Sequence, residues 1–273
     1  MTARSIAGAA LALLFVAPLA ALALGAFGQP GAPPPNGLGL LPDDPTLRSF
    51  SRAFSLGRLD GQLLNSVIVV ALAVPLTLVV ASWAGLGMLM LGTRARRLAV
   101  GATLVALMVP LSALWVPRFV LYDQLGLIGT LLPLVAPALV GTTPLLVLLF
   151  HWSFRRIPPE LFEAARLEGL GPLATWWRVA MPLARPTTFA VAALAFIFHW
   201  GNFIDALLYV LDPGLATLPL GLGTLRALGG TELPTLLAGA LIATLPPVIA
   251  FVSVQRWLER SARTAAATPA GAR

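Results

Sequence analysis

Six long apolar stretches, separated by short polar segments, run through this sequence. A helix needs about 20 apolar residues to cross the roughly 30 Å hydrocarbon core of a bilayer, and each stretch supplies enough of them. We predict membrane spans at residues 6–27, 63–91, 98–121, 131–152, 189–211 and 236–257. The chain is therefore expected to be an all-α, polytopic membrane protein with six transmembrane helices.

Composition supports this fold class and excludes several chemistries. Of the residues, 58% are hydrophobic and 11% are charged, whereas soluble domains carry about 25% charged residues. All 18 basic residues are arginine, and the chain contains neither lysine nor cysteine. A phosphate-loop lysine, a Schiff base, a disulfide and a zinc–thiolate site are therefore excluded. With only two histidines we expect no metal site.

The arginines also predict the orientation of the chain. Six spans place both termini on one side of the membrane. Of the 18 arginines, 13 fall on that side, and the other five are Arg48, Arg52, Arg58, Arg118 and Arg226. Because positive charge concentrates on the cytoplasmic side, we expect both termini to be cytoplasmic. Membrane orientation explains the basic balance, so no nucleic-acid partner is expected.

The ends and the first loop allow fewer conclusions. The first stretch has a second interpretation as a secretory signal peptide, because Ala21, Ala23 and Ala26 resemble a cleavage site; the spans behind it favour an uncleaved helix. Residues 28–61 are rich in Pro and Gly and predict an exposed loop with a short helix at 46–54. We expect a disordered tail at 261–273. No repeat or second domain is visible, so residues 1–273 are interpreted as one membrane domain.

A polar, arginine-bearing segment at residues 155–186, which we call the central loop, separates the fourth and fifth spans. Pro158 and Pro159 suit the first turn of a helix, Gly169 suits a left-handed stop, and Pro172 suits the start of a second short helix. Leu167 is expected to be exposed among acidic residues. This pattern predicts a docking surface with a rigid back, and an ordinary amphipathic linker is the alternative.

Three groups of residues resemble a known family. Glu163-Ala164-Ala165, followed by Glu168-Gly169, Pro182 and Arg185-Pro186, resembles the EAA cytoplasmic loop of membrane subunits of binding-protein-dependent ABC importers. Trp200-Gly201-Asn202-Phe203 and the TLPLGL string at 217–222 resemble the W-N-x-F and T-L-P-L-x-L segments of its carbohydrate branch, which includes maltose and glycerol-phosphate importers. The resemblance spans residues 4–260. Glu168 and Leu170 depart from it, because the family usually has Asp and a small residue there.

The resemblance implies a type I ABC importer permease fold and the function of a permease subunit in an ATP-driven importer. The residues that would contact an ATPase subunit are Glu163, Ala164, Ala165, Leu167, Glu168 and Gly169. The chain would bind no cofactor and would not itself be an enzyme, because the partner ATPase subunits would bind ATP and Mg²⁺. The implied partners are two ATPase subunits, a second and different permease subunit, an extracytoplasmic solute-binding protein and membrane lipid. The setting would be a bacterial or archaeal cell membrane, and the substrate a carbohydrate or polyol.

Polar residues inside the fifth predicted span are candidates for a substrate pathway. Asn202, Asp205 and Tyr209 follow the i, i+3, i+7 spacing of one helix face, with His199 at its margin and Phe203 nearby. Ionisable groups in a span are costly, which makes them functional hypotheses. Amide and carboxylate groups can exchange hydrogen bonds with sugar hydroxyls. The alternative is that these side chains hold helices together.

Other classes of protein remain possible at this point. Asp205 with His199 would suit an ion-coupled secondary transporter, but the absence of internal symmetry and the presence of the central loop favour an importer. A membrane-embedded hydrolase lacks a suitable Ser-His or acid pair. An importer for another solute, such as a peptide or phosphate, is the nearest alternative.

Overall fold

The regular secondary structure in the part of the chain that the structure describes is helical. The computed structural model describes residues 3–31, 42, 44–227 and 229–267, and no strand occurs among them. The α-helices, numbered in chain order, are α1 (Ala3–Gly25), α2 (Arg48–Gly57), α3 (Leu59–Met90), α4 (Thr93–Leu107), α5 (Trp115–Gln124), α6 (Leu132–Val135), α7 (Pro144–Phe154), α8 (Pro159–Leu167), α9 (Pro172–Thr175), α10 (Met181–Leu183), α11 (Arg185–Trp200), α12 (Ile204–Tyr209), α13 (Leu218–Ala227) and α14 (Leu233–Ala267).

Several helical segments are suited to crossing a membrane. In the described chain, Leu59–Met90, Leu132–Phe154 and Gly230–Ser253 are long and apolar enough by themselves. Thr93–Leu107 with Leu111–Gln124, and Pro172–Leu183 with Arg185–Trp200, qualify only as pairs that bend by 91° and 89°. Counting each bent pair as one span gives five, and Leu11–Gly25 is a shorter apolar helix. The described helices agree with a polytopic membrane protein, while the count of six stays a prediction.

The third predicted span bends at one of its two prolines. The helix α4 ends at Leu107, and Pro110 is extended, with ψ 136°, before a 3₁₀ turn at Leu111–Leu114. Pro117 lies in the first turn of α5 and causes no break there, because a first-turn residue has no intrahelical acceptor for an N–H group. Proline is a common cause of helix bends, but here only Pro110 lies at the bend.

The helices form two compact units. The first comprises Met1–Ser66 and Pro213–Val248, and the second comprises Val67–Asp212 and Ile249–Arg273. In the first unit the amide of Asn65 donates hydrogen bonds of 3.0 Å to two backbone carbonyls, those of Gly214 and Ala216. The hydroxyl of Ser66 accepts a 2.8 Å hydrogen bond from the backbone N–H of Leu218. These contacts fix the start of the 217–222 segment.

The first unit also holds the short helix of the first loop. It was predicted at 46–54 and lies at Arg48–Gly57 as α2; residues 32–41 and 43 of the predicted loop lie outside the described residues. The guanidinium of Arg52 on α2 donates to the carboxylate of Glu232, with a shortest distance of 2.6 Å. Hydrogen bonding and the negative charge of Glu232 raise the pKa of Arg52.

The second unit packs α3, α7 and α11 around buried apolar side chains that include Leu86, Phe150 and Ala195. The closest approach is at Gly85, where a Cβ atom would lie 2.8 Å from the backbone nitrogen of His151. Real Cβ atoms do not come this near to backbone, so the crossing of α3 and α7 requires a glycine at this position.

The structure differs from the sequence prediction in the fourth and fifth spans and in the tail. The fourth span consists of α6, a 3₁₀ turn at Ala136–Val140 and α7 rather than one helix. The predicted fifth span at 189–211 is interrupted, because α11 ends at Trp200 and α12 begins at Ile204. The backbone N–H of Asp205 donates to the Asn202 side chain at 3.2 Å, and such local bonds compete with a continuous helix. The helix α14 extends to Ala267, so residues 261–267 of the predicted disordered tail are helical, as their alanines favour. Residues 268–273 lie outside the described residues.

Candidate functional site

The central loop folds into two helical segments joined by a tight turn. Pro159 is the first residue of α8, as predicted, whereas Pro158 is extended, with ψ 131°, and lies just before the helix rather than in its first turn. The helix ends at Leu167, and Gly169 adopts a left-handed conformation with φ +75°. The predicted glycine stop is therefore confirmed. No other atom lies within 4 Å of a Cβ built at Gly169, so its backbone angle, rather than lack of space, requires glycine.

Two backbone hydrogen bonds close the end of α8. The N–H of Leu170 donates to the carbonyl of Ala165 at 2.9 Å, and the N–H of Gly169 donates to the carbonyl of Arg166 at 3.0 Å. This pair of bonds is the Schellman motif, which satisfies carbonyls that a helix end leaves free. Leu170 departs from the family pattern, but it takes part in the motif through its backbone, so this turn forms normally.

The two alanines of the loop motif differ in exposure. Ala165 is 4% exposed and packs inward, whereas the other predicted contact residues are all exposed, namely Glu163, Ala164, Leu167, Glu168 and Gly169. We call these five residues the outer face of α8. Leu167 is 90% exposed, as predicted, and residues three and four apart on a helix are neighbours. An apolar side chain therefore stands beside a carboxylate on a helix surface open to a partner.

The second helical segment ties the loop to the neighbouring helices. It contains one turn of π-helix at Trp176–Ala180. The indole N–H of Trp176 donates to the hydroxyl of Ser82 on α3 at 2.9 Å, and its ring meets Trp83 edge to face at 5.8 Å. The hydroxyl of Thr187 donates to that of Ser153 at 2.8 Å, which connects α11 to α7. The sequence predicted a second short helix from Pro172 but gave no sign of the contact between Trp176 and Ser82.

The carboxylates of the outer face have no counter-ion in the described chain. Neither Glu163 nor Glu168 forms a side-chain hydrogen bond or an ion pair with another described residue. Charged side chains that are fully solvated gain little from an intramolecular partner. Both groups are therefore available to an arginine or lysine of another protein.

The break between α11 and α12 joins two of the predicted pathway residues. The side-chain amide of Asn202 donates to Oδ2 of Asp205 at 3.0 Å, and Oδ1 of Asn202 accepts from the backbone N–H of Asp205. Asp205 is buried, whereas Asn202 and Phe203 are half-buried. The pair thus forms a polar point beside non-helical backbone, an arrangement that membranes tolerate where protein or water surrounds it.

A third-span arginine lies beside this pair. Nη1 of Arg118 is 4.0 Å from Oδ2 of Asp205, and both side chains are mostly buried. Tyr209 is fully buried; its hydroxyl donates to the backbone carbonyl of Trp115 at 3.0 Å, and its ring meets Tyr122 edge to face at 5.2 Å. Residues from α5 therefore complete the cluster.

His199 belongs to a different network from Asp205. Its Nδ1 lies 3.1 Å from the carbonyl oxygen of Leu134. A carbonyl only accepts, so Nδ1 carries the proton, and Nε2 of the neutral ring accepts from the hydroxyl of Thr142 at 3.1 Å. The hydroxyl of Thr142 also contacts that of Thr77. With both ring nitrogens bonded elsewhere, His199 does not form the pair with Asp205 that a proton-coupled transporter would use.

The sequence therefore predicted some, but not all, of the residues in the cluster at the α11–α12 break and in the His199 network. Asn202, Asp205 and Tyr209 lie near one another, but the chain break prevents them from forming one helix face with His199. The missed residues are Arg118 and Thr142. An arginine within the apolar 98–121 stretch was a usable sign of the first, whereas Thr142 has no such sign. No group of three His, Cys, Asp or Glu side chains suited to a metal ion occurs among the described residues.

Known proteins are similar to this chain in sequence and in fold. The arabinooligosaccharides transport system permease protein of Halalkalibacterium halodurans is 31% identical over 250 residues, which cover 90% of this chain and 89% of that protein. The lactose transport system permease protein of Rhizobium radiobacter is 31% identical over 196 residues, 70% of each chain.

A solved structure has a similar fold. It is the crystal structure of a bacterial ABC transporter involved in the import of the acidic polysaccharide alginate, with a TM-score of 0.77 and 19% identity over 93% of this chain and 94% of the other. Residues 73–264 match a family described as "Binding-protein-dependent transport system inner membrane component". This chain therefore belongs to the family of inner membrane components of binding-protein-dependent transport systems.

Proposed function

We propose that this chain is the permease subunit of an ATP-driven importer and forms half of the translocation pathway for a carbohydrate or related polyol. As a member of its family, it is a transport component of the inner membrane. The names of the relatives, which specify arabinooligosaccharides and lactose, support a carbohydrate substrate. The resemblance of 217–222 and 200–203 to carbohydrate-branch segments supports it independently.

One structural observation carries the mechanism: the outer face of α8 is exposed, while the second segment of the central loop is bonded to a membrane helix. Leu167 and Glu163 are open to a partner, and Trp176 is bonded to Ser82 on α3. A displacement applied to α8 would therefore pass to the membrane helices rather than bend a flexible loop. An ATPase that closes on ATP could drive such a displacement, and the permease would then alternate its access.

The complete importer would contain several other proteins. Two ATPase subunits would bind ATP and Mg²⁺ and hydrolyse the nucleotide, and this chain would bind neither. A second, different permease subunit would supply the other half of the pathway. An extracytoplasmic solute-binding protein would deliver the substrate to the outer loops. In this arrangement the chain has six spans, and both termini and the central loop are cytoplasmic.

The polar cluster near the α11–α12 break is proposed to line the substrate pathway. Asn202 and Asp205 offer hydrogen-bonding atoms, and Phe203 offers an aromatic face for a sugar ring. His199 is expected to hold the end of α11 and Tyr209 to hold α12, on either side of the break, because the polar atoms of these two side chains already bond to protein groups. Buried polar side chains with complete hydrogen bonds stabilise one arrangement of a site.

Purification of the assembly tests this proposal. The chain is extracted from its native membranes in mild detergent, and proteins that remain with it are identified. We expect an ATPase, a second permease and a binding protein whose bound solute is a sugar or polyol. Reconstituted vesicles should take up that solute only with ATP inside. Uptake by the chain alone, driven by an ion gradient, would instead support a secondary transporter.

A further inference from the structure

A cavity of about 550 Å³ lies beside α8, on the side that carries Phe162, Glu163 and Arg166. Its walls come from the end of α3, the start of α4, the end of α7 and the beginning of α9, as well as from α8 itself. This volume is in the range of natural small-molecule sites. Of the proposed ATPase-contact residues only Glu163 lines the cavity, and substrate is proposed to pass at the α11–α12 break, so the proposed transport mechanism leaves the rest of the cavity unassigned.

The lining combines apolar and cationic side chains. The apolar part, which we call the apolar wall, comes from three helices and the turn after α8: Leu86, Met90, Phe154, Phe162 and Leu170. The charged side chains are Arg96, Arg155, Arg166 and Glu163, which leave two net positive charges. The three arginines come from different parts of the chain, so they converge through folding rather than through sequence proximity.

These guanidinium groups have unused hydrogen-bonding capacity. Arg96, Arg155 and Arg166 form no ion pair and no side-chain hydrogen bond with another residue in the described chain. Arg96 is nevertheless only half-exposed. Each guanidinium presents five N–H donors in a planar fork that matches the oxygen atoms of a phosphate. The arrangement would accept an anion with several oxygen atoms.

We infer that this cavity binds an anionic phospholipid, with the phosphate at the arginines and part of an acyl chain on the apolar wall. A free inorganic anion would gain nothing from the apolar wall, whereas a lipid uses both sides. The cavity borders the ends of helices proposed to cross the bilayer, so lipid headgroups would lie at this level. Basic pockets between membrane helices bind anionic headgroups elsewhere. Only the choice of the cytoplasmic leaflet rests on the proposed function.

Lipid retention by paired variants tests the inference. The full chain, with any subunits that stay bound, is purified in mild detergent, and its phospholipids are extracted and counted by mass spectrometry. The test variant is Arg96→Gln with Arg155→Gln. The matched control is Arg97→Gln with Arg156→Gln, which removes the same charge from the adjacent positions, both exposed and neither lining the cavity.

We expect the test variant to bind phosphatidylglycerol about 25-fold more weakly than the native chain, or about fivefold for each arginine removed. The control should bind it normally. Titration of the delipidated protein with phosphatidylglycerol and with phosphatidylcholine supplies the affinities. Equal losses in the test variant and the control would mean general attraction to the surface and would overturn the inference.

A second variant keeps the test valid if the arginine variant does not fold. Met90 is half-exposed and lines the apolar wall, so Met90→Trp should fill part of the cavity without changing its charge and should also reduce lipid retention. Displacement of lipid by excess inorganic phosphate would indicate a site for free anions and contradict the inference. Loss of a bound ATPase with unchanged lipid would contradict it as well. Neither readout requires transport, so a failed transport test does not affect the result.

Discussion

The carboxylate of Glu163 on α8 is suited to contact a partner protein. Glu163 is exposed, has no counter-ion among the described residues and lies one turn before the 90% exposed Leu167. In a complex, a cation of the ATPase would be buried against it. Removal of one member of a buried charged pair leaves the other uncompensated, at a cost of about 2–5 kcal/mol.

We therefore predict that Glu163→Ala reduces ATP-driven uptake more than about tenfold, because a loss of this size weakens the ATPase contact. The amount of protein in the membrane should not change, since the side chain forms no hydrogen bond or ion pair with another described residue. Uptake into vesicles and immunoblotting of membranes supply the two measurements. Asp123→Ala removes another exposed carboxylate and serves as the control. Equal uptake by the two variants would contradict the role of Glu163.

The ion pair near the α11–α12 break can distinguish a pathway from simple helix packing. Arg118 and Asp205 are mostly buried and 4.0 Å apart. Loss of one charge leaves the other buried alone, which costs about 3 kcal/mol, whereas loss of both is close to neutral. Asp205→Asn and Arg118→Gln should each lower the melting temperature, and the double variant should recover most of the loss.

Transport by the double variant then provides the decisive comparison. If Asp205 contacts substrate, the double variant should be stable in thermal melting and still transport poorly. If the pair only holds α5 to α12, stability and uptake should recover together. The second result would remove Asp205 from the proposed pathway without affecting the assignment of the chain to its family.

Among the helices, the end of α8 depends on one backbone conformation. Gly169 has φ +75° and open space around it, so a side chain meets no clash and only the angle matters. Gly169→Pro fixes φ near −65° and removes the N–H group that bonds to Arg166. We predict that this variant abolishes uptake. Gly169→Asn should retain most uptake, because asparagine tolerates the left-handed region.

Gly169→Ala should fall between these two variants, since the left-handed conformation costs alanine about 1–2 kcal/mol. Uptake and membrane content are measured for all three. Normal uptake by the proline variant would show that the angle between the two helical segments does not matter for coupling.

The crossing of α3 and α7 makes a separate prediction about stability. A methyl group at Gly85 would press on the backbone of His151, and overpacking of this kind costs about 1–3 kcal/mol. Gly85→Ala should therefore lower the melting temperature of the purified protein. Gly87 lies two residues away on the same helix with nothing within 4 Å of a built Cβ, so Gly87→Ala is the matched control. A lower melting temperature for both would point to a general effect of alanine rather than to the crossing.

The fifth span shows where prediction from this sequence failed and why. Hydropathy averages over a window, and residues 189–211 are apolar enough to be read as one helix. The break depends on a bond between Asn202 and the backbone of Asp205, which a hydropathy average does not contain. The Arg118 contact was also missed, because it joins residues 87 positions apart in the chain. Local patterns predict helices well, and contacts between helices much less well.

Over the chain as a whole, local backbone chemistry was the most reliable guide. Pro159 and Gly169 predicted the start and end of α8, because their preferred backbone angles suffice to mark helix ends. The end of α14 was predicted to be disordered because it is rich in small and charged residues. Its alanines favour a helix, and the helix continues to Ala267. The orientation of the chain in the membrane is a separate prediction, because only the distribution of the arginines supports it.

The absence of cysteine makes orientation directly testable. Because the chain contains no cysteine, a single cysteine introduced at an exposed position is the only thiol in the protein. Thr93, between the second and third predicted spans, should be cytoplasmic, while Gln124 and Thr231 should face outward; all three are exposed. We predict that a membrane-impermeant maleimide labels Gln124→Cys and Thr231→Cys in intact cells. Thr93→Cys should react only after permeabilisation.

The pattern of labelling distinguishes an inverted orientation from a wrong number of spans. Reaction of Thr93→Cys alone in intact cells would invert the orientation and place the central loop outside, where no ATP-driven subunit could reach α8. Labelling of only one outward position would change the number of spans between Gln124 and Thr231, because crossing an odd number of spans reverses the side. A native chain without introduced cysteine should remain unlabelled in both conditions, which excludes reaction at other groups. The expected pattern requires an even number of crossings between the two outer positions, as six spans provide.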